Sequence, residues 1–348
     1  MIDAVGLLEG LLAQYSPTNK ENSAVRFLRD AMSGLGYETY SDLAGNAVGS
    51  RGTGQKELLL LGHIDTVPGF ITPHTEAGKL YGRGAVDAKG PLACFVMAGA
   101  QVKVPAGWKI TVIGAVGEEG DSRGAHFLCD YRKPPEMVVI GEPSGWDHLT
   151  LGYKGSAWVR INVRQAQTHS AARGASACER AVGFWNRLAA AAAEYNAPFT
   201  RQFDQITPSL RGMESLSDGF EDSASLKIGL RLPLDMGQAA FETFLNNQLE
   251  EGTLLTIDDF IPAYRSDKNS PLVRAFLPAI RKADGKPAFT LKTGTSDMNL
   301  VAPRWNCPIL AYGPGDSSLD HTPEEHIEIA EYLKSIQILT LALENALG

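Results

Sequence analysis

Three short apolar runs constrain the fold more than any other feature of the chain. Glu57-Leu58-Leu59-Leu60-Leu61, Lys109-Ile110-Thr111-Val112-Ile113 and Met137-Val138-Val139-Ile140 are each of strand length. Each runs into glycine and then polar residues: Gly62-His63, Gly114 through Gly117-Glu118, and Gly141-Glu142. A strand that is apolar on successive residues is buried on both faces, so helices must cover the sheet above and below. Helical patterning alternates with these runs: Val5 to Tyr15 reads as an amphipathic helix, and Asn22 to Leu35 as another, closed by Gly36. In such sheets ligand sites gather at the strand C-termini, and here those ends repeatedly carry His, Asp and Glu.

The character changes near Gly152. Ser156 to Val163 alternates like a half-buried strand, Ala175 to Tyr195 reads as a long helix, Ser223 to Leu232 as a strand, Gly237 to Leu249 as a helix and Leu254 to Asp258 as a strand. The outer pattern resumes after about Lys268, with a helix over Leu272 to Ala283 and strands at Phe289-Thr290-Leu291 and Pro308 to Tyr312. A chain of 348 residues is long enough for about two domains. The expected organisation is a core domain from residues 1–152 and 268–348, with a small α/β domain of residues 153–267 inserted as a lid.

Charge and cysteine content narrow the function classes. The net charge is −8, from 40 acids against 32 bases, which argues against nucleic-acid binding, since that draws its affinity from Lys and Arg on phosphate. No apolar run reaches the ~18–20 residues of a membrane span. Met1-Ile2-Asp3-Ala4 does not begin a secretion signal, so a cytoplasmic enzyme is expected. Cys94, Cys129, Cys178 and Cys307 are widely spaced and form no CxxC pair, so neither a thiolate zinc site nor a disulfide framework is indicated.

The residues that carry chemistry fall in a few stretches: Gly62-His63-Ile64-Asp65, Gly82-Arg83-Gly84-Ala85-Val86-Asp87-Ala88-Lys89-Gly90, Gly117-Glu118-Glu119-Gly120, Gly141-Glu142-Pro143-Ser144 and Leu319-Asp320-His321-Thr322-Pro323. Imidazole and carboxylate without thiolate suit Zn2+, Co2+ or Mn2+. A pair of cations needs a bridging carboxylate and a water. The glycines beside these residues read as tight turns that leave access open. Singly, each feature has a plain structural explanation. His63 and Asp65 could be a hydrogen-bonded pair, Glu118-Glu119 a solvated loop, and Asp87 with Lys89 a salt bridge. His321 could cap a helix begun by Thr322-Pro323-Glu324-Glu325. Their joint appearance at apparent strand ends is what points to a site.

In that order along the chain, these motifs resemble the M20 metallopeptidase family, and the resemblance spans nearly the whole sequence. It implies an α/β fold: a zinc-peptidase-like catalytic domain with a mixed sheet covered by helices, and a ferredoxin-like lid that also forms a homodimer. By resemblance, two divalent ions, Zn2+ or Co2+, are held by His63, Asp87 and Glu142 and by Asp87, Glu119 and His321, with Asp87 as the bridge. The resemblance makes Glu118 the general base and Asp65 the group that orients His63. His169, in Thr168-His169-Ser170-Ala171, is where the family places a donor to the tetrahedral oxyanion, often across the dimer. Arg231 with Gly294 and Thr295, in Gly294-Thr295-Ser296-Asp297, corresponds to the family's grip on a substrate carboxylate, although Arg231 could instead pair with Asp235. His74, His126, His148 and His326 match no ligand position.

Gly141 to Asp147, Leu151 to Gly155, Leu291 to Asn299 and Tyr312 to His321 are similar to one branch, the [LysW]-lysine hydrolases. That resemblance implies release of lysine, and in some relatives ornithine, from the C-terminal glutamate of a small acidic carrier protein, LysW. Lys103, Arg123, Arg132, Lys133, Lys154, Arg160, Arg164 and Arg173 are candidates for docking such a carrier, and for most of them taken singly ordinary solubility is the better explanation. The competing enzyme readings are a deacylase of free Nα-acetyl-ornithine or acetyl-lysine and a dipeptidase. A binding module on a degenerate scaffold would lack ligands or the base, and every one of those positions is filled here.

Overall fold

The computed structural model describes residues 2–348 apart from residues 168 and 170–173. In chain order it begins with α1 (Ala4–Leu12), α2 (Asn22–Gly34), β1 (Glu38–Ser41), β2 (Ala47–Arg51), β3 (Lys56–His63), β4 (His74–Glu76), β5 (Lys79–Tyr81), α3 (Lys89–Gln101), β6 (Trp108–Ala115), α4 (Arg123–Tyr131), β7 (Met137–Gly141) and β8 (His148–Tyr153). Next come β9 (Gly155–Ala166), α5 (Ala177–Asn196), β10 (Thr207–Ser217), β11 (Glu221–Leu232), α6 (Gln238–Asn246), β12 (Thr253–Ile261) and β13 (Tyr264–Arg265). The chain closes with α7 (Pro271–Lys282), β14 (Ala288–Lys292), α8 (Met298–Trp305), β15 (Ile309–Ala311), β16 (His326–Glu328) and α9 (Ile329–Leu347). Helix starts follow local chemistry. The Asp3 carboxylate accepts the Gly6 amide at 2.7 Å, Ser176 and Glu179 form a reciprocal capping box, and Ser270 caps α7 with Pro271 in its first turn.

Two compact units result. The first comprises Met1–Gly152, Ser266–Leu291 and Ser296–Gly348, and the second Tyr153–Arg265 with Lys292–Thr295. The short segment 292–295 joins the second unit because the Lys154 amide donates to the Lys292 carbonyl (3.2 Å) and the Thr295 hydroxyl to the Lys154 carbonyl (3.0 Å).

In the first unit the main sheet runs in the order β1-β2-β6-β3-β7-β15-β8, with β14 also paired to β8. β3 lies parallel to both β6 and β7, and β15 lies parallel to β7. Their C-terminal ends therefore open on one edge. Leu58, Leu59, Leu60 and Leu61 of β3 are all fully buried, as the continuous apolar run requires. Each contributes on the order of 1.5–3 kcal/mol by leaving water, an upper bound for an extended reference chain. Gly62 stands in register between Gly114 of β6 and Gly141 of β7. This row of glycines is a notch for α3. A Cβ on Gly141 would come within 3.0 Å of the Phe95 ring and 3.1 Å of Gly62 Cα, and one on Gly114 within 3.3 Å of Leu92. These strand glycines serve close packing, in place of the tight turns expected for them; Gly84 and Gly117, with φ of 88° and 84°, are the ones that turn the chain.

The second unit is an antiparallel sheet in the order β10-β11-β9-β12, with α5 and α6 on one face. Val159, Ile161, Val163, Leu226, Ile228 and Leu230 pack with Phe184, Leu188, Phe241 and Leu245 in its core. The β-α-β-β-α-β order with β9 and β11 central is ferredoxin-like, as expected. The sequence pattern omitted β10, because this edge strand is largely exposed and its residues lack the alternation of a half-buried strand.

Candidate metal centre

The strand order places the site. His63 is the last residue of β3, Glu142 directly follows β7, and Glu118 and Glu119 follow β6, so adjacent parallel strands deliver these residues to one edge. Asp87 lies in the loop entering α3, next to a cis peptide bond with Ala88. His321 arrives from the far end of the chain, in the left-handed region with φ 63°. It caps no helix: residues 322–325 form a turn that leads into β16.

Asp87 sits between the two imidazoles. Its Oδ1 lies 3.0 Å from His63 Nε2 and its Oδ2 3.1 Å from His321 Nε2; His321 Nε2 is also 3.0 Å from Glu119 Oε1. Two triads result, His63-Asp87-Glu142 and Asp87-Glu119-His321, with the donor atoms of each all within 4.8 Å of one another. Two imidazoles and three carboxylates, with no thiolate, form a donor set that fits two divalent ions sharing Asp87.

Asp65 organises the site in two ways. His63 Nδ1 is 3.0 Å from the Asp65 backbone carbonyl and 3.6 Å from its carboxylate, so the main chain makes the shorter contact to the ring. The fully buried carboxylate accepts the amides of Glu118 (3.0 Å) and Glu119 (3.2 Å) and the hydroxyl of Thr18 (2.7 Å). It thereby fixes the loop that bears the candidate base.

The electrostatics are those of a site that holds protons where cations would sit. Burial opposes protonation of His63, yet the Asp65 and Asp87 carboxylates outweigh it and raise the ring's pKa well above normal. Hydrogen bonds to the carboxylates of Asp87 and Glu119 push His321 up to about 10. Burial would raise Asp87, but the two imidazoles hold it below the usual carboxylate range. Glu118 and Glu142 are raised well above theirs, by burial first and by neighbouring carboxylates next. Asp297, the last residue of the Gly294-Thr295-Ser296-Asp297 motif and given no role of its own there, is buried within electrostatic reach of both, accepts the Ser122 hydroxyl and is pushed by burial up to about 7.

In the second unit Arg231 donates to the Thr295 hydroxyl at 2.7 Å, and Thr295 donates on to the Lys154 carbonyl. The neighbouring Gly294 leaves open space where a side chain would project. His169 is exposed just beyond β9; Thr168, Ser170 and Ala171 beside it, and Arg173, lie outside the described residues. Several of the basic docking candidates are already engaged. Arg123 pairs with Glu21, Arg132 with Glu57, Arg160 with Asp258 and Arg164 with Glu221. Lys154 is buried, its ammonium on the carbonyls of Gln202 and Gln205, so it is no surface residue. Lys103 and Lys133 are exposed. No described helix is long and apolar enough to cross a membrane.

The sequence profile of Peptidase family M20/M25/M40 matches residues 59–345. The chain belongs to this family. Among M20 relatives, a [LysW]-lysine hydrolase of Deinococcus radiodurans is 42% identical over 341 residues, covering 96% of this chain and 94% of that protein. A [LysW]-lysine/[LysW]-ornithine hydrolase of Sulfurisphaera tokodaii is 30% identical over 339 residues, covering 97% and 94%. The M20 fold is also seen in the crystal structure of aminopeptidase PepT from Bacillus cereus, which superposes with a TM-score of 0.81 at 19% identity and covers 99% of this chain and 98% of that one.

Proposed function

We propose that this chain is an amide hydrolase that releases lysine, and ornithine as a second product, from the γ-carboxyl of the C-terminal glutamate of a LysW-type carrier protein, the last step of lysine synthesis through 2-aminoadipate. Near-full-length identity of 42% to a [LysW]-lysine hydrolase carries the substrate, and the paired triads on Asp87 support the chemistry. His63, Asp87 and Glu142 would hold one ion, and Asp87, Glu119 and His321 the other, as Zn2+ or Co2+. Such a pair supplies an acidified water and polarisation of the scissile carbonyl when bound. Glu118, held through its amide by Asp65, takes the proton of the attacking water and passes it to the leaving α-amine. Asp65 fixes the ring of His63. We assign His169 the hydrogen bond to the oxyanion, and Arg231, with Gly294 and Thr295, the product carboxylate, for which guanidinium geometry is suited.

The first unit is the catalytic domain on this reading, and the second is the lid and dimerisation domain of a cytoplasmic homodimer. The deciding assay measures lysine and ornithine release from the carrier conjugate and from the Nα-acetyl amino acids, with chelator-treated protein as control. Fast release from the conjugate alone supports the proposal. Preferential release from the acetyl compounds would overturn the carrier substrate and leave an ordinary deacylase.

A further inference from the structure

Glu325 is buried, carries charge and takes no part in the chemistry above. Its Oε1 accepts three backbone amides from a single loop: Gly84 at 3.1 Å, Val86 at 3.0 Å and Asp87 itself at 3.1 Å. Its Oε2 accepts Arg83 Nη1 at 2.7 Å, and Arg83 Nε reaches on to the Gly69 carbonyl at 3.0 Å. The Glu325 main chain holds the same loop, its carbonyl accepting the Gly82 amide at 3.2 Å. The strand that follows, β16, pairs with β5 in the register His326 to Tyr81. Lys89 ties the loop's other end, its ammonium donating to the carbonyls of Leu11 and Gln14 at 3.2 and 2.7 Å.

Glu325 thus joins two distant parts of the centre. Asp87 lies 238 residues before it, and His321 stands on the turn just ahead of it, in a left-handed backbone that only its surroundings can hold. Both oxygens of Asp87 must face opposite imidazoles, and that demands a fixed backbone at residue 87. Charge-assisted bonds to three amides fix it more firmly than neutral acceptors would. Without the carboxylate, three amides and the Nη1 of Arg83 lose this acceptor.

We propose that Glu325 is a positioning residue for the metal centre, setting the aim of the bridging carboxylate Asp87 by holding the main chain of residues 84–87. The inference rests on the two-ion reading of the triads. Its test is a titration of Co2+ into chelator-treated protein, followed by calorimetry and by the visible absorption of bound cobalt, with thermal unfolding of each metal-free variant alongside. Glu325→Ala is expected to fold and to lose about 10- to 100-fold in Co2+ affinity, the usual effect of removing a group that orients a ligand. Glu325→Gln, which keeps an oxygen for the three amides, is expected to restore part of that loss. Arg83→Met, which leaves those amides satisfied, is expected to bind close to wild type. Unchanged Co2+ affinity in a folded Glu325→Ala protein would overturn the proposal, as would an equal loss in Arg83→Met, which would assign the effect to the ion pair. If the alanine variant does not fold, Glu325→Gln decides alone: weaker Co2+ binding with an altered cobalt spectrum supports the role, and wild-type binding refutes it. Wild-type protein that takes up no Co2+ would refute the metal centre and this inference together.

Discussion

Glu118 and Glu119 are chain neighbours with different assignments, and the difference can be measured. Glu119 meets His321 and Asp87 in a ligand triad, whereas Glu118 belongs to neither triad. Glu118→Gln is therefore expected to lower turnover by about 10²–10⁴-fold, the usual worth of a general acid–base group, while Co2+ content stays at the wild-type level. Metal loss in that variant would exchange the two roles. That His63, Asp87, Glu119, Glu142 and His321 come together was legible through the family resemblance, because imidazoles and carboxylates at strand ends follow the family's order along the chain. The residues that aim those ligands were not. Glu325 works through main-chain amides 238 residues away, and Thr18 through the buried Asp65 carboxylate. Neither has a spacing that could betray it. The glycines beside the ligands were visible but their purpose was not, because the packing of Phe95 and Leu92 against Gly141 and Gly114 depends on where α3 lies.

Among the elements, several with an apolar period were found in the sequence, with boundaries a few residues off, whereas others, the helices α4 and α9 among them, were passed over. Two of the omissions have a plain physical reason. Helix α3 is buried nearly all round and so has little amphipathic contrast; its start, Lys89-Gly90-Pro91, reads as loop. Strand β10 is the opposite case, an exposed edge without a buried face. It leaves Met213 and Leu216 48% and 74% exposed at the margin of the second unit's sheet. A long edge of this kind is a template for pairing with another chain, which supports the proposed dimer. Leu216→Lys is expected to turn a wild-type dimer into a monomer in sedimentation equilibrium, with Co2+ binding retained, because the triads lie in the first unit. A wild-type protein that sediments as a monomer would remove the dimer from the proposal.

For the molecule as a whole, metal, protons and stability are linked through one centre. Without ions, His63 and His321 are drawn toward the protonated form by Asp87 and its neighbours, and burial keeps protons on Glu118 and Glu142. Ligands bind metal in the deprotonated form, so uptake must expel the protons held by His63, His321 and Glu142. The sign follows: affinity rises with pH through neutrality, continues to rise until His321 titrates near 10, and falls on acidification. For each proton expelled, the apparent affinity changes by about tenfold per pH unit. Calorimetric Co2+ titrations at about pH 6, 7 and 8, each in two buffers of different ionisation heat, count the protons directly. Because ions bind the folded chain and not the unfolded one, a hundredfold excess over Kd adds about 2.7 kcal/mol to its stability. At a fixed ion concentration that gain shrinks as the pH falls, so the metal-induced rise in Tm should be smaller at pH 6 than at pH 8. An affinity that is flat across this range, with no proton release, would mean that the imidazoles are already neutral in the metal-free protein and that Asp87 does not hold their protons.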